Sequence, residues 1–250
     1  MHYRFKREAL YTGANSHLNF WFKVRELLLR HLWLHPPNTI SLAMRGFFIM
    51  TPEKLNKQRQ SLRKSLRQQR KALTPYTQAE HALGLDKQLS NCSLFKRSKR
   101  IAAYLAADGE IDPVFVIENA WRSNKKIYLP VLAPFANRLY FAPYFVNSKM
   151  KLNRYQIAEP DVHPKHWLKP QQLDLILMPL VGFDKTGNRL GMGGGFYDRS
   201  LSFSHFRKTT SRPYLIGLAH QLQHIDKLPH QAHDVPMHMI ATEQELHIRK

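Results

Sequence analysis

The 250-residue sequence predicts one α/β domain of three layers, α/β/α, with a mainly parallel sheet and additional helices at its start. Three observations predict it. From Thr51 onward, short apolar runs alternate with stretches of helical periodicity. The strongest apolar runs are continuous, as in strands covered on both faces. No internal repeat and no low-complexity linker divides the chain after Met50.

The elements follow in order. Thr51 suits an N-cap and Pro52 a first helical residue. Leu55, Leu62, Leu66 and Leu73 fall on one face of the helix they open, and Arg59, Arg63 and Arg70 line one flank of that stripe. A basic flank of this kind is as often a solvated face as a binding lip. Thr74-Pro75 repeats the start signal for a second helix carrying Ala79, Leu83 and Leu89. Residues 100–106 read as a buried strand, and Asp112-Pro113 opens a helix to about residue 124. Strands are predicted at 126–130 and 139–145, with residues 155–160 in a loop. Residues 173–179 are the clearest buried strand. A helix over about 196–206 and strands at 214–219 and 238–242 complete a Rossmann-like sheet.

Lys and Arg number 38 against 18 Asp and Glu, a formal charge of +20. Such a field attracts polyanions: nucleic acid, anionic membrane, nucleotides or a poly-acidic small molecule. Before Met50 only Glu8 and Glu26 are acidic. Residues 1–49 read as an N-terminal extension, and the working domain as 50–250. An Arg-rich, acid-poor leader is compatible with an organellar transit peptide; the favoured reading is a poorly ordered segment or start-site artefact. No apolar run approaches the ~18 residues of a membrane span. Arg30, His31, Pro36, Pro37 and Arg45 interrupt the one patch that could resemble a secretory signal. Cys92 is the only cysteine, so no intrachain disulfide forms, which suits the cytoplasm. In its polar Asn-Cys-Ser setting it reads as an incidental thiol rather than a nucleophile. His220 and His224 stand four apart, with His230, His233 and His238 following. No cysteine or His-Glu-x-x-His pattern joins them, so scattered surface histidines are expected rather than a zinc site.

The densest chemistry lies in Arg189-Leu-Gly-Met-Gly-Gly-Gly-Phe-Tyr-Asp-Arg199. It follows a buried strand and precedes a helix, where α/β proteins bind anions. Glycines 191, 193, 194 and 195 let backbone N–H groups approach phosphate, and Arg189 and Arg199 can neutralise its charge. Asp198 is a candidate Mg²⁺ ligand, since that ion takes few protein oxygens beside phosphate and water. No Lys or hydroxyl residue follows the glycines, which excludes a P-loop, and Phe196 occupies the third small position of a dinucleotide fingerprint.

Residues 181–199, Val-Gly-Phe-Asp-Lys-Thr-Gly-Asn-Arg-Leu-Gly-Met-Gly-Gly-Gly-Phe-Tyr-Asp-Arg, closely resemble the signature of the 5-formyltetrahydrofolate cyclo-ligase (5,10-methenyltetrahydrofolate synthetase) family. The resemblance runs from about Lys54 to Thr242. It includes Arg59-Gln-Ser-Leu-Arg63, Leu105 and Glu110, the Leu-Ile-x-x-Pro strand before the loop, and His233-Asp-Val-Pro236. It implies an enzyme that uses ATP and Mg²⁺ to close a ring on 5-formyltetrahydrofolate, possessing no protein nucleophile. The formyl oxygen takes the γ-phosphoryl group, N10 attacks the activated carbon, and phosphate leaves.

The resemblance assigns ATP to Arg59, Gln60, Ser61, Leu62 and Arg63 and to Arg189, Leu190, Gly191, Met192, Gly193, Gly194, Gly195, Phe196 and Tyr197. It assigns the folate to Leu105, Glu110 and 192–196, and magnesium to Asp198 and Asp234. Asp184 is expected to shape the turn before the loop. Gly194 stands where many members carry Lys, and Phe196 where many carry Tyr, so Arg59, Arg63, Arg189 and Arg199 are expected to carry more of the phosphate charge. Polyglutamylated folate and ATP would suit the basic charge of a cytoplasmic monomer binding neither nucleic acid nor membrane. The competing readings are a nucleic-acid-binding protein and an ATP-dependent ligase or kinase for another small substrate.

Overall fold

A computed structural model of the chain describes residues 51–133, 137–206 and 212–249; the expected extension, residues 1–49, lies outside them. The described chain opens with α1 (Pro52–Lys71), α2 (Pro75–Asn91) and α3 (Ser93–Arg97), which leads into β1 (Arg100–Ala102). α4 (Val114–Arg122) crosses to β2 (Lys126–Leu132), and β3 (Leu139–Tyr144) returns beside it. A hairpin of β4 (Met150–Leu152) and β5 (Ala158–Pro160) precedes β6 (Leu175–Pro179). A second hairpin, β7 (Gly182–Phe183) with β8 (Arg189–Leu190), carries the chain into α5 (Phe196–Leu201). β9 (Tyr214–Leu218), β10 (Met239–Ala241) and β11 (Leu246–Ile248) follow.

Seven strands form one sheet in the order β11-β10-β9-β6-β1-β2-β3. The five from β10 to β2 are parallel, and β11 and β3 close the two edges antiparallel. Alternation along β6 shows how the sheet is covered. Leu175 and Leu177 enter a core with Leu85 and Leu89 of α2, Phe95 of α3 and Val116, Ile117 and Ala120 of α4. Ile176 and Met178 enter the opposite core with Leu201 of α5, Phe183, Val235 and Met237. The three layers are thus present, but the second face is covered by one short helix, a 3-10 turn (Ser202–Phe206) and loops. The predicted helix over 196–206 is α-helical to Leu201 and 3-10 from Ser202.

Other differences have local causes. Leu83 is 54 % exposed, and α2 buries Ala82, Leu85 and Leu89 instead. Leu83 lies about 200° around the helix from Leu85, so only one of them can face the sheet. Residues 103–106 leave the ladder and run toward the site described below. Within the predicted loop, residues 158–160 pair with β4, and β11 was not expected. Cys92 is buried and packs its Sγ 3.9 Å from Met239 Sδ, so its polar neighbours misrepresent its surroundings.

α1 sits apart from both cores. Leu62 and Leu66 pack on Val181, Leu190, Ile225 and Leu228, which anchors the helix over the hairpin that precedes the glycine loop.

Candidate active site

The carboxyl ends of β1, β2 and β6 open on the same side, where ligands of parallel sheets usually sit. A cavity of about 540 Å³ occupies that place, within the usual range for small-molecule sites. Its walls come from α1, the β1–α4 connection, the β4–β5 hairpin, the glycine loop and residues 231–234.

Asp184 builds the approach to the loop. Its Oδ1 accepts from the Thr186 and Asn188 amides and the Thr186 hydroxyl, and its Oδ2 from Asn188 Nδ2 and the Leu228 amide. These bonds close the β7–β8 turn, as expected of that residue. Beyond it the loop bends through Gly193 (φ +103°) and Gly195 (φ +63°), values that favour glycine. Gly194 differs: a Cβ there would lie 3.0 Å from the Phe196 ring. A side chain at 194 would therefore require the Phe196 ring to move by a few tenths of an ångström. Tyr155 of the β4–β5 hairpin meets that ring edge-on, with centroids 5.9 Å apart.

Four arginines were expected to meet phosphate, and their partners separate them. Arg59 is buried and bidentate to Asp234, at 2.6 and 3.1 Å, and donates also to the Pro229 carbonyl. Arg189 is buried and paired with Asp198, while its Nε has no hydrogen-bond partner among the described residues. Arg199 turns away from the cavity, donating to the Asn137 and Gly194 carbonyls and covering the Phe196 ring. Arg63 donates Nε to the Gly191 carbonyl at 2.8 Å and has no carboxylate partner among the described residues. Burial, then the neighbouring Arg59 charge, lowers its pKa, with the Asp234 charge acting in the opposite direction.

The two candidate magnesium carboxylates are unequal. Asp198 Oδ1 accepts from Arg189 and the Val235 amide, and its Oδ2 accepts no hydrogen bond among the described residues. Both oxygens of Asp234 are engaged by Arg59, and Oδ2 also by the Gln231 amide. Burial is the largest influence on the Asp234 pKa and works to raise it, but the Arg59 bond, the Gln231 amide and the nearby Arg59 and His233 charges together outweigh it, and the net shift is downward. Asp198 fits a cation as it stands; Asp234 fits one only when Arg59 changes partner.

Leu105 and Glu110 line the same cavity, beyond β1. The Glu110 pKa is raised, chiefly by burial, with Arg70 the main opposing influence. Burial and the Glu110 charge together push the Tyr197 hydroxyl upward, which places the end of the glycine loop and Glu110 in one electrostatic neighbourhood.

Of the residues assigned from sequence, Arg59, Arg63, Leu105, Glu110, Arg189, 191–198 and Asp234 line the cavity. Gln60 and Ser61 do not; they are exposed on α1, because neighbouring helical positions point about 100° apart. Leu62 and Leu190 face the small core beneath α1. Sequence reasoning missed Tyr104, Asp108, Asn153, Tyr155, Gln231 and the burial of Arg70. The Asp108-Gly109 pair was a legible turn signal; the others carried none.

The histidines also need correction. His220 is fully buried, and His224 stacks on the buried His247. His220 Nδ1 lies 2.8 Å from His81 Nδ1, and His81 Nε2 lies 3.7 Å from Glu243. These three could gather around an ion, but the ring nitrogens stand at hydrogen-bond distance and Glu243 already accepts from the Gln221 amide. His81 and His220 form a hydrogen-bonded pair, with Glu243 at ion-pair distance from His81.

Residues 55–243 match the model of the 5-formyltetrahydrofolate cyclo-ligase family. The chain is 39 % identical over 179 residues to 5-formyltetrahydrofolate cyclo-ligase of Escherichia coli (strain K12), covering 71 % of this chain and 96 % of that one. The enzyme of the same name from Mus musculus is 28 % identical, over 72 % and 91 % of the two chains. Among solved structures, the Aquifex aeolicus 5,10-methenyltetrahydrofolate synthetase superposes with a TM-score of 0.66 at 26 % identity, over 77 % of this chain and 93 % of its own. Glycine loop, cavity and these likenesses lead to one conclusion: the chain belongs to the 5-formyltetrahydrofolate cyclo-ligase family and is an enzyme of that kind.

Proposed function

We propose that this chain closes 5-formyltetrahydrofolate to 5,10-methenyltetrahydrofolate at the expense of ATP, with Mg²⁺, releasing ADP and phosphate. The observation that carries this reading is Arg63, a cation without a carboxylate partner among the described residues, held over the glycine loop in the cavity that also contains Glu110. An anion completes the first feature and a hydrogen-bond donor the second. ATP and a pterin supply both in one molecular pair.

In this reading Arg59, Arg63 and the loop 189–197 hold ATP, the glycines offering amides and the arginines charge. Leu105, Glu110 and residues 192–196 hold the folate, with Glu110 accepting from the pterin N–H groups. Phosphate oxygens that take up Arg59 release Asp234. Asp198 and the freed Asp234 would hold Mg²⁺, whose contribution is to offset charge on the transferring phosphoryl group. The formyl oxygen attacks the γ-phosphorus in line and ADP departs. N10 then attacks the activated formyl carbon, and phosphate leaves as the ring closes. The protein's part is placement and charge compensation, which needs no nucleophile of its own.

The same proposal takes residues 50–250 as the working domain of a cytoplasmic monomer whose partners are small molecules, polyglutamylated folate included. Incubated with 5-formyltetrahydrofolate, ATP and Mg²⁺, the protein should develop the near-ultraviolet absorbance of the methenyl product, and should not when ATP or Mg²⁺ is withheld. Folded protein that yields no such absorbance would sink the reading.

A further inference from the structure

Arg70 ends α1 fully buried, which is rare for arginine without a specific partner. Its Nε donates to the Asp108 carbonyl at 2.8 Å, one amino nitrogen to the Leu180 carbonyl at 3.2 Å, and the other to Asp108 Oδ2 at 2.9 Å. That last nitrogen also stands 3.6 Å from Glu110 Oε1. Arg70 does not line the cavity; Glu110 does.

The turn it grips is an uncommon one. Asp108 and Gly109 both have positive φ, 56° and 74°, and a side chain at 109 would meet the Arg70 backbone at 3.1 Å. Arg67 and Lys71 add their own bonds to the Asp108 carboxylate. From the opposite side His220 Nε2 meets the Gly109 carbonyl at 3.2 Å. Glu110 closes the turn by accepting from the Ala107 amide at 3.2 Å. The carboxylate therefore reaches the cavity from a peptide clamped on two sides, and within it Arg70 is the one fully buried cation.

We propose that Arg70 is a positioning residue for the folate half of the reaction, fixing the turn that aims the Glu110 carboxylate into the cavity and supplying its counter-charge. This rests on the reading that Glu110 accepts hydrogen bonds from the pterin. The surroundings agree. Burial raises the Glu110 pKa and Arg70 is the largest influence opposing it. The other charged or titratable groups facing Glu110 are Arg67 on α1, Asp108 in its own turn, Tyr104 before it and Tyr197 on α5, with His220 behind Gly109. Loss of Arg70 should thus hold Glu110 protonated to higher pH, whereas loss of the Asp108 charge should do the reverse.

The test compares Arg70→Met, Arg70→Lys and Asp108→Asn with the unaltered protein, each shown folded by circular dichroism. In Arg70→Met the KM for the folate should rise about tenfold, the worth of one hydrogen bond to a charged group, while the KM for ATP stays put. The acid limb of kcat/KM for the folate should move to higher pH in Arg70→Met, partly back in Arg70→Lys, and to lower pH in Asp108→Asn. Carbon NMR titration of the Glu110 carboxyl should show the same order without turnover. Should Arg70→Met fail to fold, the Lys and Asn variants still carry opposite signs. A Glu110 titration indifferent to residue 70, or folate and ATP parameters falling together with a fixed acid limb, would overturn the proposal. An unaltered protein that makes no methenyl product, yet titrates Glu110 in this order, refutes the functional reading and leaves the positioning role standing.

Discussion

Arg59 and Arg189 reach the cavity wall already paired with carboxylates, whereas Arg63 bonds a carbonyl there and no carboxylate among the described residues. Residue type alone did not distinguish them, because all are arginines beside glycines or on an apolar flank. Partner geometry does, and it divides the site into charges that must be exchanged and one that is ready. His220 shows the same gap between type and circumstance. Burial, then the charge of His81, lowers its pKa to about 4 from the ordinary histidine value of 6.5. A histidine depressed in the folded state contributes stability that is complete above the unfolded value and is lost as pH falls from 6.5 toward 4. Chemical denaturation at about pH 7 and about pH 5 should therefore show the wild type losing more stability on acidification than His220→Gln, which has nothing there to protonate. Equal losses in the two proteins would remove His220 as the cause.

At the scale of elements, what was legible was whatever is local. Thr74 caps α2 by accepting from the Thr77 amide, as its place before Pro75 implied. The run Leu-Ile-Leu-Met of β6 announced burial on both faces, and the glycine string was legible as a contiguous run of residues, although its Arg63 contact comes from 128 positions away. The β4–β5 hairpin was illegible: two three-residue strands, one wholly exposed, present no usable period. The buried end of α1 was also hidden, since Arg70 takes its meaning from the turn at Asp108, 38 positions away. Strand-level packing yields a prediction of its own. A Cβ on Gly217 of β9 would stand 2.6 Å from Leu180 Cδ2 and 2.7 Å from Ile240 Cδ1. Gly217→Ala should cost about 1–3 kcal/mol in equilibrium unfolding, the usual penalty of overpacking a core. A neutral result would mean both side chains can withdraw at no cost.

Across the whole molecule, the catalytic reading needs nothing before α1. Among the described residues, those lining the cavity lie between Arg59 and Asp234, and the family match spans 55–243. A protein begun at Met50 should accordingly retain the kcat and KM values of the full chain; a lower rate would assign residues 1–49 a part in the reaction. The formal +20 likewise needs no polymer to explain it if both substrates are polyanions. One contact has a further consequence for how the protein is made. Arg59 and Asp234 are 175 positions apart. During synthesis α1 and the glycine loop leave the ribosome while the carboxylate that orders Arg59 has yet to be translated. On the proposed reading, nucleotide recognition is then a property of the completed polypeptide, and a messenger truncated after the loop yields a chain whose Arg59 lacks its Asp234 partner.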